Sequence, residues 1–341
     1  MATISTGVKA LEKIQIGKES TAGTGVAATT IWRGKGRIQY DNENKRVDES
    51  VGIAQPTTRE YNPRLGATVA FDPVEATFQQ LPYLFEAGVA AEVATQDGTG
   101  SGYIYQYAFP TTAMNTLNTY TIEGGNNVQA REGEYGFVES FKLSGNAAEG
   151  VMMEANWRVR QSTDASFTGA LAVPTIVPGD NLVFGGSVLY IDAVSGTIGS
   201  TAVSNTLLSF ELDVTTGYKV KYTNAAKYFD FIYWDRDTFN AVLKLTFEHN
   251  TASEAQVDLF EANTPRLFRL AFTGNAVSDN TGATYNNMTT YIDVPGTYIN
   301  NPEFSDNDGN NVWSMEVQGG YDLTAALGVQ FLVVNELSSL P

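Results

Sequence analysis

The stretch Leu84-Phe85-Glu86-Ala87 occurs a second time as Leu259-Phe260-Glu261-Ala262, 175 positions further along the chain. An apolar segment with the same Ala-Phe ending follows each copy, residues 103–109 after the first and residues 266–272 after the second. Self-similarity at a fixed offset is the signature of an internal repeat. The sequence therefore predicts two related domains in tandem.

The length of the chain also favours two domains. Its 341 residues exceed the size, roughly 250–300 residues, at which a single hydrophobic core usually stops growing. A stretch that contains Pro174, Pro178 and several small residues interrupts the strand pattern, as linkers between domains do. We predict a first domain over residues 1–165 that includes an N-terminal arm, a linker over 166–186 and a second domain over 187–341.

The composition narrows the possible functions. The net charge is −17 and only 21 residues are Lys or Arg. Affinity for nucleic acid without sequence preference comes from cations that neutralise phosphates, so this balance argues against a surface that grips DNA or RNA. The absence of cysteine excludes disulfides, thiol nucleophiles and thiolate metal sites. We see no signal peptide and no long apolar run, and expect no membrane insertion.

Apolar and polar residues alternate in many short segments, which predicts a mainly β chain. Both copies show the order strand, long loop, strand, helix, strand and closing hairpin. An Asp308-Gly309 turn is also expected to join two strands. The predicted hairpins join residues 137–143 to 151–160, residues 208–214 to 218–222, and residues 313–317 to 323–331.

One helix is expected in each copy. Asp72 and Pro73 form a helix-start pattern, and we predict a first helix from there to Gly88 with a kink at Pro82. A capping pattern at Thr251 predicts the start of the second helix. Each helix would cover one side of a sheet.

The segment from Asp41 to Arg64 is a long predicted loop and is rich in charges of both signs. A solvated surface loop would explain this composition. Structureless loops beyond about 12–15 residues are uncommon unless they have a function, so contact with a neighbouring subunit is the alternative. The candidate interface residues are Asp41, Glu43, Lys45, Arg46, Asp48, Glu49, Arg59 and Arg64.

Few residues suggest catalysis or metal binding. The single histidine, His249, follows a strand and is expected to be structural or exposed. The Asp306–Asn311 segment resembles a calcium loop, but Gly309 and Glu316 do not stand at the sixth and twelfth positions that an EF-hand needs. We therefore predict no enzyme activity, no cofactor and no metal.

Several segments resemble the tail tube proteins of long, non-contractile phage tails. The first is Ile14-Gln15-Ile16-Gly17-Lys18-Glu19 with Gly23-Thr24, followed by the strand, charged loop, strand and helix described above. Residues 138–145 are similar as well. In the second copy, Leu189-Tyr190-Ile191-Asp192 with Gly196-Thr197-Ile198-Gly199 resembles the family again.

Having two copies, the chain is similar to the duplicated, two-domain type of subunit in this family. The resemblance implies two tandem β-sandwich or split-barrel domains, each with one flanking α-helix. It implies a structural virion protein of the phage tail, assembled in the host cytoplasm. Homotrimeric rings with pseudo-sixfold symmetry would stack into a hollow tube for DNA passage. If the second copy is instead an outer decoration domain, the ring would be a hexamer.

The resemblance also implies the partners. These are other copies of the chain, the tape-measure protein, and the tail terminator and baseplate proteins, with DNA passing transiently. We expect the charged segment to contact an adjacent ring or subunit, and acidic side chains to line the lumen. The alternatives are a tandem β-sandwich binding or adhesion module and another virion component, such as a decoration or baseplate protein. A carbohydrate-binding module would expose clustered aromatic residues in loops, whereas the tryptophans fall mostly within or beside predicted strands.

Overall fold

The computed structural model describes residues 6–55, 59–174 and 179–340. The chain is mainly β: half of it lies in strands that form large antiparallel sheets, and the described ranges contain two α-helices. The first half contains β1 (Lys13–Lys18), β2 (Thr30–Trp32), β3 (Gly36–Tyr40), β4 (Glu43–Arg46), β5 (Glu60–Arg64), β6 (Ala67–Glu75), α1 (Leu81–Gly88), β7 (Thr95–Gln96), β8 (Tyr103–Ala108), β9 (Tyr120–Gly125), β10 (Ala130–Asn146), β11 (Met152–Val159) and β12 (Thr163–Ala165). The second half contains β13 (Ser187–Ala193), β14 (Ala202–Val203), β15 (Leu207–Thr215), β16 (Tyr218–Lys221), β17 (Phe231–Trp234), β18 (Asn240–Glu248), α2 (Thr251–Glu261), β19 (Arg266–Ala276), β20 (Asn287–Asn307), β21 (Asn310–Gly319) and β22 (Gln330–Asn335).

The same strand-pairing scheme occurs in both halves. In the first half β1 lies between β2 and β9, β9 pairs with the start of β10, and the end of β10 continues through β11 and β6 to β3. In the second half β13 lies between β14 and β19, β19 pairs with the start of β20, and the end of β20 continues through β21 and β18 to β15. The repeat is therefore present in the hydrogen-bonded strands. The domain boundaries around residues 166–186 stay a prediction, and residues 175–178 of that linker lie outside the described ranges.

Two strand pairs join the halves. The end of β10 pairs with β15, from Ser140 opposite Thr215 to Asn146 opposite Ser209. Strand β8 of the first half pairs with β22 of the second. The β10–β15 pair creates one continuous sheet in the order β3–β6–β11–β10–β15–β18–β21–β20, which we call the eight-stranded sheet.

The main cluster of buried apolar side chains runs through both halves, and a smaller cluster around Tyr135 and Phe229 also joins them. Phe85 of α1 stacks on Phe331 of β22, with 4.3 Å between the ring centroids. Trp157 of β11 is fully buried and packs against Phe71 and Tyr120. The core is thus shared between the halves.

The predicted start of the first helix is wrong. Asp72 and Pro73 belong to β6, because that strand continues its pairing with β11 as far as Glu75. The helical turns begin after Thr77, whose hydroxyl accepts the backbone N–H of Gln80 at 3.0 Å. Pro82 lies in the first turn of α1, where a missing N–H costs no helical hydrogen bond.

Two predicted hairpins and one predicted match between the copies are also wrong. Strand β15 pairs with β10 and β18 rather than with β16, and β21 pairs with β18 and β20 rather than with the region around Leu323, which is 88% exposed. The counterpart of β19 is β9, not β8, because both β9 and β19 lie between the first strand and the long strand of their half. The β10–β11 hairpin and the Asp308-Gly309 turn between β20 and β21 are confirmed.

Candidate assembly site

The charged segment from Asp41 to Arg64 is a β-hairpin rather than a long loop. Strands β4 and β5 pair from Glu43 opposite Arg64 to Arg46 opposite Glu60. We call it the first hairpin, and its base is fixed to the eight-stranded sheet through Arg158. Burial lowers the pKa of Arg158, but hydrogen bonds to Glu139 and Asp41 outweigh this effect and raise it above the ordinary value.

The structure places all eight predicted interface residues in this hairpin. Asp41 and Arg64 form an ion pair at its base, with 3.2 Å between Oδ1 and Nη2. Arg59 bonds Glu49 at 3.0 Å across the far end. The remaining four are distributed along the hairpin: Glu43, Lys45 and Arg46 in β4, and Asp48 beyond it. Their interface role stays a prediction.

A second hairpin, formed by β16 and β17, occupies the matching place in the second half, between β15 and β18. It packs onto the first half: Phe229 is buried, with its ring centroid 5.0 Å from that of Tyr135. The Tyr218 hydroxyl donates to the Val89 carbonyl at 3.0 Å. A hairpin at this position therefore binds the neighbouring copy of the repeat. The first hairpin instead exposes apolar side chains, among them Val51, Ile53 and Tyr61.

The pairing of β10 with β15, the internal junction, combines buried apolar contacts with an ion pair. Leu143 stands opposite Leu212, and both are fully buried. On the other face the ammonium of Lys142 lies 2.7 Å from Glu211 Oε2. The hydrogen bond with Glu211 raises the pKa of Lys142, and the same bond lowers the pKa of Glu211. Lys219 of β16, which follows β15 in the chain, instead bonds Asp235 at 2.8 Å.

Strand β3 and the end of β20 form the two outer edges of the eight-stranded sheet. They correspond to β15 and the end of β10, the two strands that pair at the internal junction. Tracing the pairings from strand to strand relates the two halves position by position. The equivalent residues are Ile38 and Leu212, Val69 and Leu243, Trp157 and Val317, Val138 and Tyr298, and Leu143 and Phe304. Strand β3 is thus the counterpart of β15, and the end of β20 is the counterpart of the end of β10.

Neither outer edge has a further paired strand in the described part of the chain. Apolar side chains that are buried at the internal junction therefore have solvent-exposed counterparts at the two outer edges. Leu143 is 0% exposed, whereas its counterpart Phe304 is 50% exposed. Val214 is 2% exposed, whereas its counterpart Tyr40 is 55% exposed. These two edges, together with the first hairpin, form the candidate assembly site.

One face of the eight-stranded sheet covers the core, and the other is polar. Its charged side chains alternate along each strand with buried apolar ones. The basic side chains include Arg37, Lys142, Arg158 and Lys244, and the acidic ones include Glu75, Glu139, Glu154, Glu211, Asp213, Glu248, Glu303 and Glu316. Carboxylates therefore outnumber cations on this face.

The sequence did not predict either edge, and it predicted the charged segment as a loop rather than as a hairpin. Pairing partners in a sheet depend on residues distant in sequence, so no local pattern marks Tyr40 or Phe304 as edge positions. The available signal was the 174-residue offset between Ile38 and Leu212, which would have aligned β3 with β15.

Within the described ranges, no group of three or more His, Asp or Glu side chains is arranged to hold a metal ion. Neither α1 nor α2 is long and apolar enough to cross a membrane. No protein-family model matches the sequence, and no curated protein is significantly similar to it.

Proposed function

We propose that the chain is a structural, self-assembling protein whose copies join edge to edge into rings that stack into a hollow tube, as in the tails of long-tailed phages. Trimeric rings suit the eight-stranded sheet, because each chain supplies two repeats and three chains supply six. The tube would form around a tape-measure protein and later pass DNA.

The observation that carries this proposal is the internal junction. It joins the edge represented by β15 to the edge represented by the end of β10, and it buries Leu143, Leu212 and Val214. A free copy of each edge remains at the two ends of the same sheet, with Tyr40 and Phe304 exposed. Unpaired strand edges are templates for further pairing, and a closed ring removes them. Since the two free edges differ, head-to-tail addition is the arrangement that they support.

Two further features support the proposal. The second hairpin binds the first half of its own chain through Phe229 and Tyr218. The first hairpin, in the matching position beside the free β3 edge, is available to bind the preceding copy in the same way. The acidic surplus of the polar face fits a tube lining on which DNA does not adhere.

The alternative of a carbohydrate-binding or adhesion module has little support. Trp32 and Trp157 are buried, and Trp234 and Trp313 are partly buried. No aromatic platform of exposed tryptophans is therefore present in the described residues.

Electron microscopy of the purified protein, combined with sedimentation across a range of concentrations, tests the proposal. We expect rings with six repeats around the axis, and hollow tubes at high concentration. A protein that stays monomeric at every concentration, or that forms solid fibrils without a lumen, would overturn it.

A further inference from the structure

The two free edges carry opposite charges. Between positions 33 and 40, beside and within β3, the chain has Lys35 and Arg37 exposed and no carboxylate. Between positions 303 and 308, at the end of β20, it has Glu303, Asp306 and Asp308 exposed and no basic residue. None of these five side chains forms an ion pair within the described residues. The whole chain has only 21 Lys and Arg residues, and two of them stand together on this edge without an ion-pair partner among the described residues.

We propose that these charges select the partner edge: the β20 end of one copy pairs antiparallel with β3 of a second copy, in the register of the internal junction, with Glu303 beside Arg37 of the neighbour. The inference rests on the proposed function. It adds the register and the residues that determine specificity.

The register follows from the equivalent positions. Leu143 pairs with Met153, and Phe304 pairs with Trp313. Met153 lies four residues before Trp157, and Trp313 lies four residues before Val317, the counterpart of Trp157. Phe304 therefore takes the place of Leu143 and stands opposite Ile38 of the next copy, as Leu143 stands opposite Leu212. The exposed Phe304 ring would be buried by this contact.

The ion pair of the internal junction is reproduced in this register with its signs reversed. Glu303 occupies the place of Lys142, one residue before the matched pair Leu143 and Phe304. Arg37 occupies the place of Glu211, one residue before Ile38 and Leu212. The internal pair Lys142–Glu211 measures 2.7 Å, so Glu303 and Arg37 can meet by the same diagonal reach across the strands.

Incorrect pairings would bring like charges together. If two β3 edges paired, the two Arg37 side chains would lie close together. If two β20 ends paired, the two Glu303 side chains would do the same. Exchange with an internal edge would place Lys142 against Arg37, or Glu303 against Glu211. Like charges across a strand pair are destabilising, and in interfaces they suppress wrong partners. The reversal therefore permits only the head-to-tail order.

Charge reversal tests the selection. We expect Glu303→Lys or Arg37→Glu alone to raise the protein concentration required for assembly about tenfold or more at low salt, because like charges then meet at every junction between copies. The double variant Glu303→Lys with Arg37→Glu should return that concentration to within about threefold of the wild-type value. Asp258→Lys, on the exposed side of α2, serves as the control for net charge. Assembly of the single variants at the wild-type concentration would overturn the proposal and leave the tube function intact.

Disulfide trapping tests the register, and the chain has no cysteine of its own to interfere. In the proposed register Glu303 stands directly opposite Gln39 of the next copy. Glu303→Cys with Gln39→Cys should therefore cross-link between copies in mild oxidant, in a covalent series that ends at the trimer. Glu303→Cys with Arg37→Cys places the thiols diagonally, roughly 7–8 Å apart, beyond disulfide reach.

Equal cross-linking of both Cys pairs, or none in intact tubes, would overturn the register alone. Cross-linking of the opposed pair without any tubes would overturn the tube function alone.

Discussion

Glu86 and Glu261 occupy the same place in the two copies of the repeated tetrapeptide, but their surroundings are opposite. Glu86 is 1% exposed, and its carboxylate accepts bonds from Lys18 at 2.9 Å, Asn118 at 2.6 Å and Tyr120 at 3.1 Å. Burial first, and then the charge of Glu86, raises the pKa of the Tyr120 hydroxyl well above its ordinary value. Glu261 lies exposed at the end of α2. A repeated sequence thus indicates a repeated position in the fold but not a repeated environment.

This difference predicts unequal effects of one substitution. We expect Glu86→Ala to lower the free energy of unfolding by about 3 kcal/mol, because it removes the partner of Lys18 and leaves buried donors unsatisfied. Glu261→Ala should change it by less than about 0.5 kcal/mol. Urea denaturation of the two variants measures both values. Similar losses at the two positions would contradict the buried network around Glu86.

Glu132 predicts a dependence of stability on pH. It stands directly opposite Glu123 in the β9–β10 pair, and burial followed by the charges of Glu123, Glu134 and Glu19 raises its pKa above the ordinary 4.5. The folded chain thus holds this proton more tightly than the unfolded chain. Stability is therefore lost as the pH rises from the ordinary value through the raised one.

We expect Glu132→Gln to stabilise the protein by up to about 1 kcal/mol at pH 7. The gain should vanish near pH 4, where wild-type Glu132 is largely protonated. Glu123→Gln serves as the contrast: it should destabilise at pH 7, because both Glu123 oxygens accept hydrogen bonds, one from the Thr168 hydroxyl and the other from the Thr168 N–H at 2.7 Å, and the amide nitrogen of Gln cannot accept one. Thermal unfolding at the two pH values distinguishes the variants. A gain from Glu132→Gln of equal size at pH 4 would contradict the electrostatic cause.

Among the elements, α2 follows its sequence signals closely. Asn250 precedes the helix and accepts the N–H groups of Ala252 and Ser253, while the Ser253 hydroxyl accepts the Asn250 N–H at 2.9 Å. The predicted second helix is confirmed, but Thr251 is its first residue and Asn250, not Thr251, is the capping residue. We expect Asn250→Ala to cost about 1 kcal/mol and Asn250→Asp much less, as measured by chemical denaturation. Equal costs for both would indicate that the side-chain cap contributes nothing.

The strands show which part of the fold a local pattern can predict. Alternating residues located β6, β10, β11, β18 and β21, because one face of each strand meets the core. Partners such as β8 and β22 could not be predicted, since more than 200 residues separate them. The false helix start at Asp72 has the same origin: its capping pattern is local, while pairing with β11 holds the segment extended.

At the level of the whole molecule, the candidate site was predicted in part. The length and composition of the charged segment marked it as a candidate interface, but as a loop rather than a hairpin. The free edges were not, because an edge is defined by the absence of a neighbour. The charge reversal between Lys142 and Glu303 could not be predicted either, because only the hydrogen-bonded strands relate these two positions.

Because the first hairpin lies outside the buried core, we expect that its removal abolishes assembly but not folding. Deletion of residues 45–55 should leave a folded, soluble monomer, because these residues contribute no side chain to the buried core, and should abolish tubes. Phe229→Ala in the second hairpin should instead destabilise the monomer by about 3–4 kcal/mol. Circular dichroism and electron microscopy of both variants provide the comparison. Normal tubes from the deletion would reject an interface role for the hairpin.

The pairing of β8 with β22 has a consequence for the time course of biosynthesis. Phe331, which stacks on Phe85, and the strand that covers β8 lie within the final dozen residues of the described chain. Until β22 has been synthesised, β8 has no pairing partner on that side and the hydrophobic core around Phe85 is incomplete. A polypeptide that ends before β22 therefore lacks both the pairing partner of β8 and the ring that stacks on Phe85.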